Sequence, residues 1–288
     1  MDFGKVLTAM VTPFDSEGKL DLNKTEMLVE HLIANGSDGL VLGGTTGESP
    51  TLSDDEKLKL FKFVSEVVND RIPVLAGAGS NNTEATIQLT KEAELTGVNG
   101  IMLVTPYYNK PNEAGLYQHF KSIAENTKLP IMLYNVPGRS VVNMSVDTTV
   151  ELSKVPNIVS TKDASGDIDM MSEIIERTDE SFSLYVGDDS MTLPSLAVGS
   201  HGVVSVSSHV IGNEMQDMVQ SFINGESKKA AKIHRSILPK MKACFMAPSP
   251  APVKAALNYY GVDVGSVRLP LVDLTLDEFN TLKGILDQ

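Results

Sequence analysis

The chain has 288 residues, 42% of them hydrophobic, and a formal net charge of −13. That excess of acid argues against nucleic acid or an anionic membrane as a partner. It also obliges any anionic substrate to be held by local groups against the overall field. The single cysteine, Cys244, excludes an intramolecular disulfide and fits a reducing, cytoplasmic setting. It sits in an apolar run, where packing is the plain reading. The opening Met-Asp-Phe-Gly-Lys does not read as a signal peptide, and no run approaches the ~18 apolar residues of a membrane span. The length exceeds one average domain but suits an α/β barrel, which runs to roughly 250 residues or more as one unit.

Short β-rich runs alternate with longer amphipathic ones. The pattern predicts strands at Val6–Val11, Gly39–Gly43, Pro73–Ala78, Gly100–Thr105, Pro130–Asn135, Ile158–Lys162, Ser183–Val186 and Gly202–Ser205. Most are near-continuous apolar stretches, as parallel strands buried on both faces require. Helix-like segments lie between them. The first ends at Asn35-Gly36. The second, Thr51–Val68, has Ser53 as N-cap and Glu56 three residues on, a capping-box pattern. The third, Thr83–Leu95, has Gly97 at its expected C′ position. Beyond Ser205 the chain reads as helical at Asn213–Asn224, Ser227–Ala247, Ala251–Tyr260 and Leu276–Leu286. One of these is the eighth barrel helix. The remainder, over 226–288, is an appendage packed on the barrel. Eight alternations without an antiparallel hairpin signal predict a single-domain closed (β/α)8 TIM barrel, not an open doubly wound sheet. No Gly-x-Gly-x-x-Gly follows the first strand, which speaks against a dinucleotide fold.

Barrels place catalytic groups at the C-terminal ends of their strands. Here those ends read Gly43-Gly44-Thr45-Thr46-Gly47-Glu48, Thr105-Pro106-Tyr107-Tyr108-Asn109, Tyr134-Asn135-Val136-Pro137-Gly138-Arg139 and Thr161-Lys162-Asp163. Alternation puts Ile158, Ser160 and Lys162 on one face. If that face points inward, desolvation favours the neutral amine, a nucleophile toward ketones. Moving a lysine from about 10.4 to near 7 takes roughly 4–5 kcal/mol, within what burial supplies. The plain alternative is a lysine paired with Asp163 or another carboxylate.

The Gly-Gly-Thr-Thr-Gly-Glu turn can aim successive N–H groups at an anion, or serve only as a strand-to-helix connection. Tyr134 ends the strand beside the lysine strand. Hydrogen-bonded to another hydroxyl it can relay protons; otherwise it is an aromatic with its hydroxyl at the surface. Arg139 can grip a carboxylate bidentately or stand as a solvated charge. Tyr107-Tyr108 suits an aromatic interface. The five histidines form no metal-ligand spacing, so the chain reads as metal-independent. The loop Gly187-Asp188-Asp189-Ser190 carries two acids, which argues against a phosphate cup.

Together, the motifs from Gly43 to Ser49, Val104 to Pro111, Tyr134 to Arg139 and Lys162 to Gly166 resemble the 4-hydroxy-tetrahydrodipicolinate (dihydrodipicolinate) synthase family. That family belongs to the pyruvate-dependent class I aldolase superfamily, which includes N-acetylneuraminate lyase. The resemblance runs from Lys5 to Pro270. It implies a lyase in which Lys162 forms an imine with pyruvate and needs no other cofactor. It implies a proton relay of Tyr134, Thr45 and Tyr108, with Tyr108 reaching in from a neighbouring subunit of a homodimer or a dimer-of-dimers homotetramer. Thr46 is expected to hold the pyruvate carboxylate and Arg139 that of L-aspartate 4-semialdehyde, with Gly187 and Val204 lining the pocket. The resemblance also implies that the product feeds diaminopimelate and lysine biosynthesis in the cytoplasm.

Three departures stand out. Lysine-inhibited members of the family carry histidines where this chain has Asp54 and Lys57, and glutamate where it has Ala85, while Ser49, Asn81 and Tyr107 are retained. A degenerate effector site with weak or absent lysine feedback is therefore expected. Ser249 replaces an asparagine, expected near the barrel base, and Gly138 replaces a serine. Two other readings remain open at this stage: another lyase of the superfamily, and a non-catalytic keto-acid-binding barrel.

Overall fold

The computed structural model describes residues 2–288. The apolar runs form parallel strands β1 (Val6–Ala9), β2 (Gly39–Leu42), β3 (Val74–Gly77), β4 (Gly100–Val104), β5 (Ile131–Asn135), β6 (Ile158–Asp163), β7 (Ser183–Val186) and β8 (Gly202–Ser205). Each pairs with the next and β8 returns to β1, closing the barrel. Alternation divides every strand between two cores. Leu40, Leu42, Val74, Ala76, Ile101 and Leu103 face the helices, while Leu7, Val41, Leu75, Met102, Met132 and Tyr185 fill the interior.

The sixth strand departs from simple alternation. The register with β5 shifts between Ile131 and Met132, so Ile131 pairs with Ile158 but Met132 pairs with Ser160. Ile158 therefore joins the outer core with Ile131 and does not share the face of Lys162. An extra residue at a bulge resets which side each following residue takes.

The barrel helices are α1 (Leu22–Ala34), α2 (Asp54–Val68), α3 (Thr83–Glu94), α4 (Glu113–Ala124), α5 (Pro137–Ser140), α6 (Val146–Ser153), α7 (Ile168–Arg177), α8 (Thr192–Ala197) and α9 (Ser208–Ile223). Helix α2 has the reciprocal Ser53–Glu56 capping box, but starts at Asp54 because Ser49–Thr51 is a separate 3-10 turn. Gly36 closes α1 at φ +84°. Gly97 is also left-handed, at φ +88°, one place later than expected. Helix α9 begins five residues before its predicted start. The stretch Ser208–Gly212 lacks the apolar period, and a kink at Ile211 (φ −131°) marks where the two pieces meet.

Three further helices follow: α10 (Ser227–Ala243), α11 (Ala251–Tyr259) and α12 (Leu276–Leu286). Ala243, Ala256, Leu282 and Leu286 form their shared apolar contact. Helix α10 stops short of Ala247, since the approach to Pro248 disfavours helical backbone. No described helix is long and apolar enough to cross a membrane.

Candidate active site

Tyr134 and Lys162 are register partners across β5 and β6, and Lys162 and Tyr185 across β6 and β7. All three therefore project into the barrel. Lys162 is only 6% exposed, and its Nζ stands 4.2 Å from the centroid of the Tyr134 ring. Among the described residues no carboxylate lies within ion-pair distance of it. Asp163, the partner that pairing requires, points elsewhere. It accepts from Asn135 Nδ2 at 2.9 Å, from Ser165 N at 3.0 Å and from Ser165 Oγ at 2.5 Å. Its amine therefore meets a ring face and no counter-ion.

The room for this amine depends on Gly187. A Cβ there would sit 2.9 Å from Lys162 Cε and 2.8 Å from Ala164 Cβ. Lys162 opens into a cavity of about 500 Å³. Thr45, Thr46, Tyr134, Arg139 and Gly187 all line it with Lys162. Val204 does not: it is fully buried on β8 in the barrel interior, and Val206, further along the chain, reaches the cavity.

The turn after β2 is tight. Glu48 N donates to Thr45 O at 3.0 Å and Ser49 N to Gly44 O at 3.1 Å, while the Thr45 and Thr46 N–H groups have no acceptor in the described chain. Thr46 is buried and Thr45 half-buried, and free N–H donors on a cavity wall suit an anionic guest. Thr46 is 5% exposed. Arg139 lies not in an open loop but in the single turn α5, started by Pro137. Its exposed guanidinium makes no ion pair among the described residues and borders the same cavity.

Tyr108 stands apart. It is 89% exposed at φ +72°, and no hydrogen bond joins Tyr134 to Thr45 among the described residues. Its loop is nonetheless fixed. Asn81 Nδ2 donates to Tyr107 O at 3.1 Å, and Asn109 Nδ2 donates to Asn81 O at 2.8 Å. Ser49 and Tyr107 border a smaller cavity of about 270 Å³ that shares Thr45, Tyr134 and Arg139 with the first. Asp54 and Lys57, where the resemblance would set histidines, face each other at 3.6 Å.

Some lining residues escaped sequence reasoning. Ser249 borders the Lys162 cavity and not the barrel base, and Met241, Lys242 and Phe245 from the C-terminal appendage join it. No periodicity shows that a helix outside the barrel returns to the rim of its cavity. Both acids after β7 border this cavity, and Asp189 also holds the backbone after β8. Burial pushes its carboxyl up, and its Oδ2 accepts from Val206 N at 3.2 Å and Ser207 N at 2.9 Å. His209 is structural. Burial lowers it to about 4; its Nδ1 pairs with Val206 O at 2.7 Å, and its Nε2 accepts from Val11 N at 3.1 Å.

Residues 2–288 match the dihydrodipicolinate synthetase family. The chain belongs to that family. It is 55% identical over 289 residues to 4-hydroxy-tetrahydrodipicolinate synthase of Bacillus subtilis, covering 100% of both chains. Its structure superposes on dihydrodipicolinate synthase from Bacillus anthracis with a TM-score of 0.99 and 58% identity, over 100% of this chain and 99% of that one. A lysine-bound dihydrodipicolinate synthase from Cyanidioschyzon merolae matches with a TM-score of 0.97 and 43% identity, over 99% and 97% of the two chains. Family membership gives the buried Lys162 a lyase setting of the class I aldolase type.

Proposed function

We propose that this chain is a 4-hydroxy-tetrahydrodipicolinate synthase, condensing pyruvate with L-aspartate 4-semialdehyde at the head of the diaminopimelate route to lysine. The observation that carries the reading is Lys162: buried, with no carboxylate at ion-pair distance among the described residues, and open to a cavity that the Thr45–Thr46 turn also lines. The Lys162 amine attacks the ketone carbon of pyruvate, and loss of water leaves an imine. The Thr45–Thr46 turn, with the Thr46 hydroxyl, holds the carboxylate. Loss of a methyl proton gives the enamine, whose carbon attacks the aldehyde carbonyl. Arg139 holds the carboxylate of the semialdehyde, and on cyclisation the semialdehyde's own amino group attacks the imine carbon and releases the Lys162 amine. No cofactor beyond the imine is needed.

Tyr134 moves the protons, with Thr45 linking it to Tyr108 of a second copy. Support for that assignment is the anchored loop that presents Tyr108 to solvent in a backbone conformation uncommon for an aromatic residue. The proposed assembly is a homodimer or a dimer of such dimers, in the cytoplasm, with the whole chain acting as one domain. Ser49, Asn81 and Tyr107 form a degenerate effector site. Without histidines at 54 and 57, feedback by lysine is weak, and strong inhibition at submillimolar lysine in a steady-state assay overturns that reading.

Borohydride reduction with pyruvate tests the mechanism. The expected result is an adduct of pyruvate mass on Lys162, lost in Lys162→Ala and kept in Arg139→Ala. Absence of the adduct in the wild type sinks the reading. An unchanged KM for the semialdehyde in Arg139→Ala removes Arg139 from its role.

A further inference from the structure

The turn that offers Thr45 and Thr46 is anchored from below by a second buried lysine. Glu48 takes φ +57°, and its side chain is wholly inaccessible. Its carboxylate meets Lys254 Nζ at 2.7 Å, and the lysine side chain is 2% exposed. Lys254 lies on α11, in the appendage. It also donates to Ser266 O at 2.8 Å and stands 4.2 Å from the Phe14 ring centroid. The other Glu48 oxygen accepts from the Arg268 backbone N–H at 2.8 Å. The Arg268 guanidinium donates to Thr51 O at 2.7 Å and to Glu56 Oε2 at 2.9 Å. Thr12 Oγ1 fixes Gly47 O at 2.7 Å.

Two physical consequences follow for the neighbouring anion site. Glu48 and Thr45 are joined through a backbone hydrogen bond, so a shift of Glu48 shifts the donors at Thr45 and Thr46. An unneutralised carboxylate two and three residues from those donors also repels the substrate carboxylate through a low-dielectric interior. Lys254 acts against both. We propose that Glu48 and Lys254 are positioning residues for pyruvate, through which the C-terminal appendage sets the geometry and charge of the carboxylate-binding turn. The inference rests on the catalytic reading above.

A structural staple alone lowers the folded, active fraction and leaves KM unchanged. A positioning pair changes KM for one substrate. In Lys254→Met, KM for pyruvate is expected to rise about tenfold or more, with KM for the semialdehyde and kcat at saturating pyruvate within about threefold of wild type. The doubly neutral Glu48→Gln/Lys254→Met variant buries no unpaired charge, which keeps the test decisive should Lys254→Met fail to fold. It loses the repulsion but not the loosening, so its pyruvate KM lies between the two. Equality with wild type in the double variant, or a fall in kcat alone in both, overturns the proposal. Borohydride trapping of the wild type is the control. No adduct there defeats the catalytic reading itself, whereas trapping with unchanged pyruvate KM in both variants defeats only the pair's role.

Discussion

Lys162 and Lys254 are both buried, and each has its Nζ 4.2 Å from an aromatic centroid, over Tyr134 and Phe14 respectively. They differ in everything else. Lys254 has Glu48 at 2.7 Å and a carbonyl at 2.8 Å. Burial pushes its ammonium down to about 8, with Glu48 pulling the other way. Lys162 has no carboxylate and no hydrogen-bond acceptor among the described residues, and faces a cavity. Burial alone therefore does not mark a reactive lysine. On the proposed reading, what marks it is burial without a carboxylate partner beside a cavity that can admit a keto acid.

One substitution made at both sites tests the contrast. Lys162→Met is expected to abolish pyruvate trapping and condensation, the largest effect, while stability moves by no more than about 1 kcal/mol, since no ion pair is broken and volume is kept. Lys254→Met leaves Glu48 buried and unpaired, and is expected to cost about 3–5 kcal/mol in chemical denaturation. If Lys162→Met destabilises as much as Lys254→Met, the two lysines are equivalent structural groups and the contrast collapses. A smaller perturbation reaches Lys162 through its neighbour. Gly187→Ala puts a methyl 2.9 Å from Lys162 Cε. Overpacking of this kind costs about 1–3 kcal/mol, and trapping should slow because the amine is displaced. Unaltered trapping kinetics would show that the space beside Gly187 does not set the position of the amine.

The same contrast explains what the sequence could show. All eight strands were legible because a parallel barrel strand is apolar on both faces, and the strand ends located Lys162, Tyr134, Thr45, Thr46 and Arg139 on one rim. Pairing was not legible. Asp163 is adjacent to Lys162 in sequence, yet it binds Asn135 and Ser165. Glu48 and Lys254 are far apart in sequence, yet they touch. Contacts of that range are decided by how the appendage docks, and no local period encodes docking. The return of Ser249 to the rim was hidden for the same reason, and the bulge at β6 because the register between two strands is not written in the period of one.

His209 represents a third solution for a buried basic group: it carries no charge at all. Its folded value is about 4, against an ordinary imidazole near 6.5. A folded value below the unfolded one means that the unfolded chain binds more protons as the pH falls. The stabilisation is therefore fully present above about 6.5 and is lost as the pH drops toward 4. One unit below the ordinary value, at pH 5.5, the expected loss is about 1 kcal/mol. His119, also lowered to about 4 by burial, adds in the same direction. Urea denaturation of the wild type and His209→Gln at pH 7.5 and 5.5 isolates the contribution. The variant starts less stable, because the imidazole bridges Val206 O and Val11 N, but it loses less on acidification. A gap between the two proteins that stays constant or widens toward pH 5.5 would show that His209 is not held neutral. A charged basic group would then be buried without a carboxylate partner at His209 as well, and burial without a carboxylate would no longer set Lys162 apart.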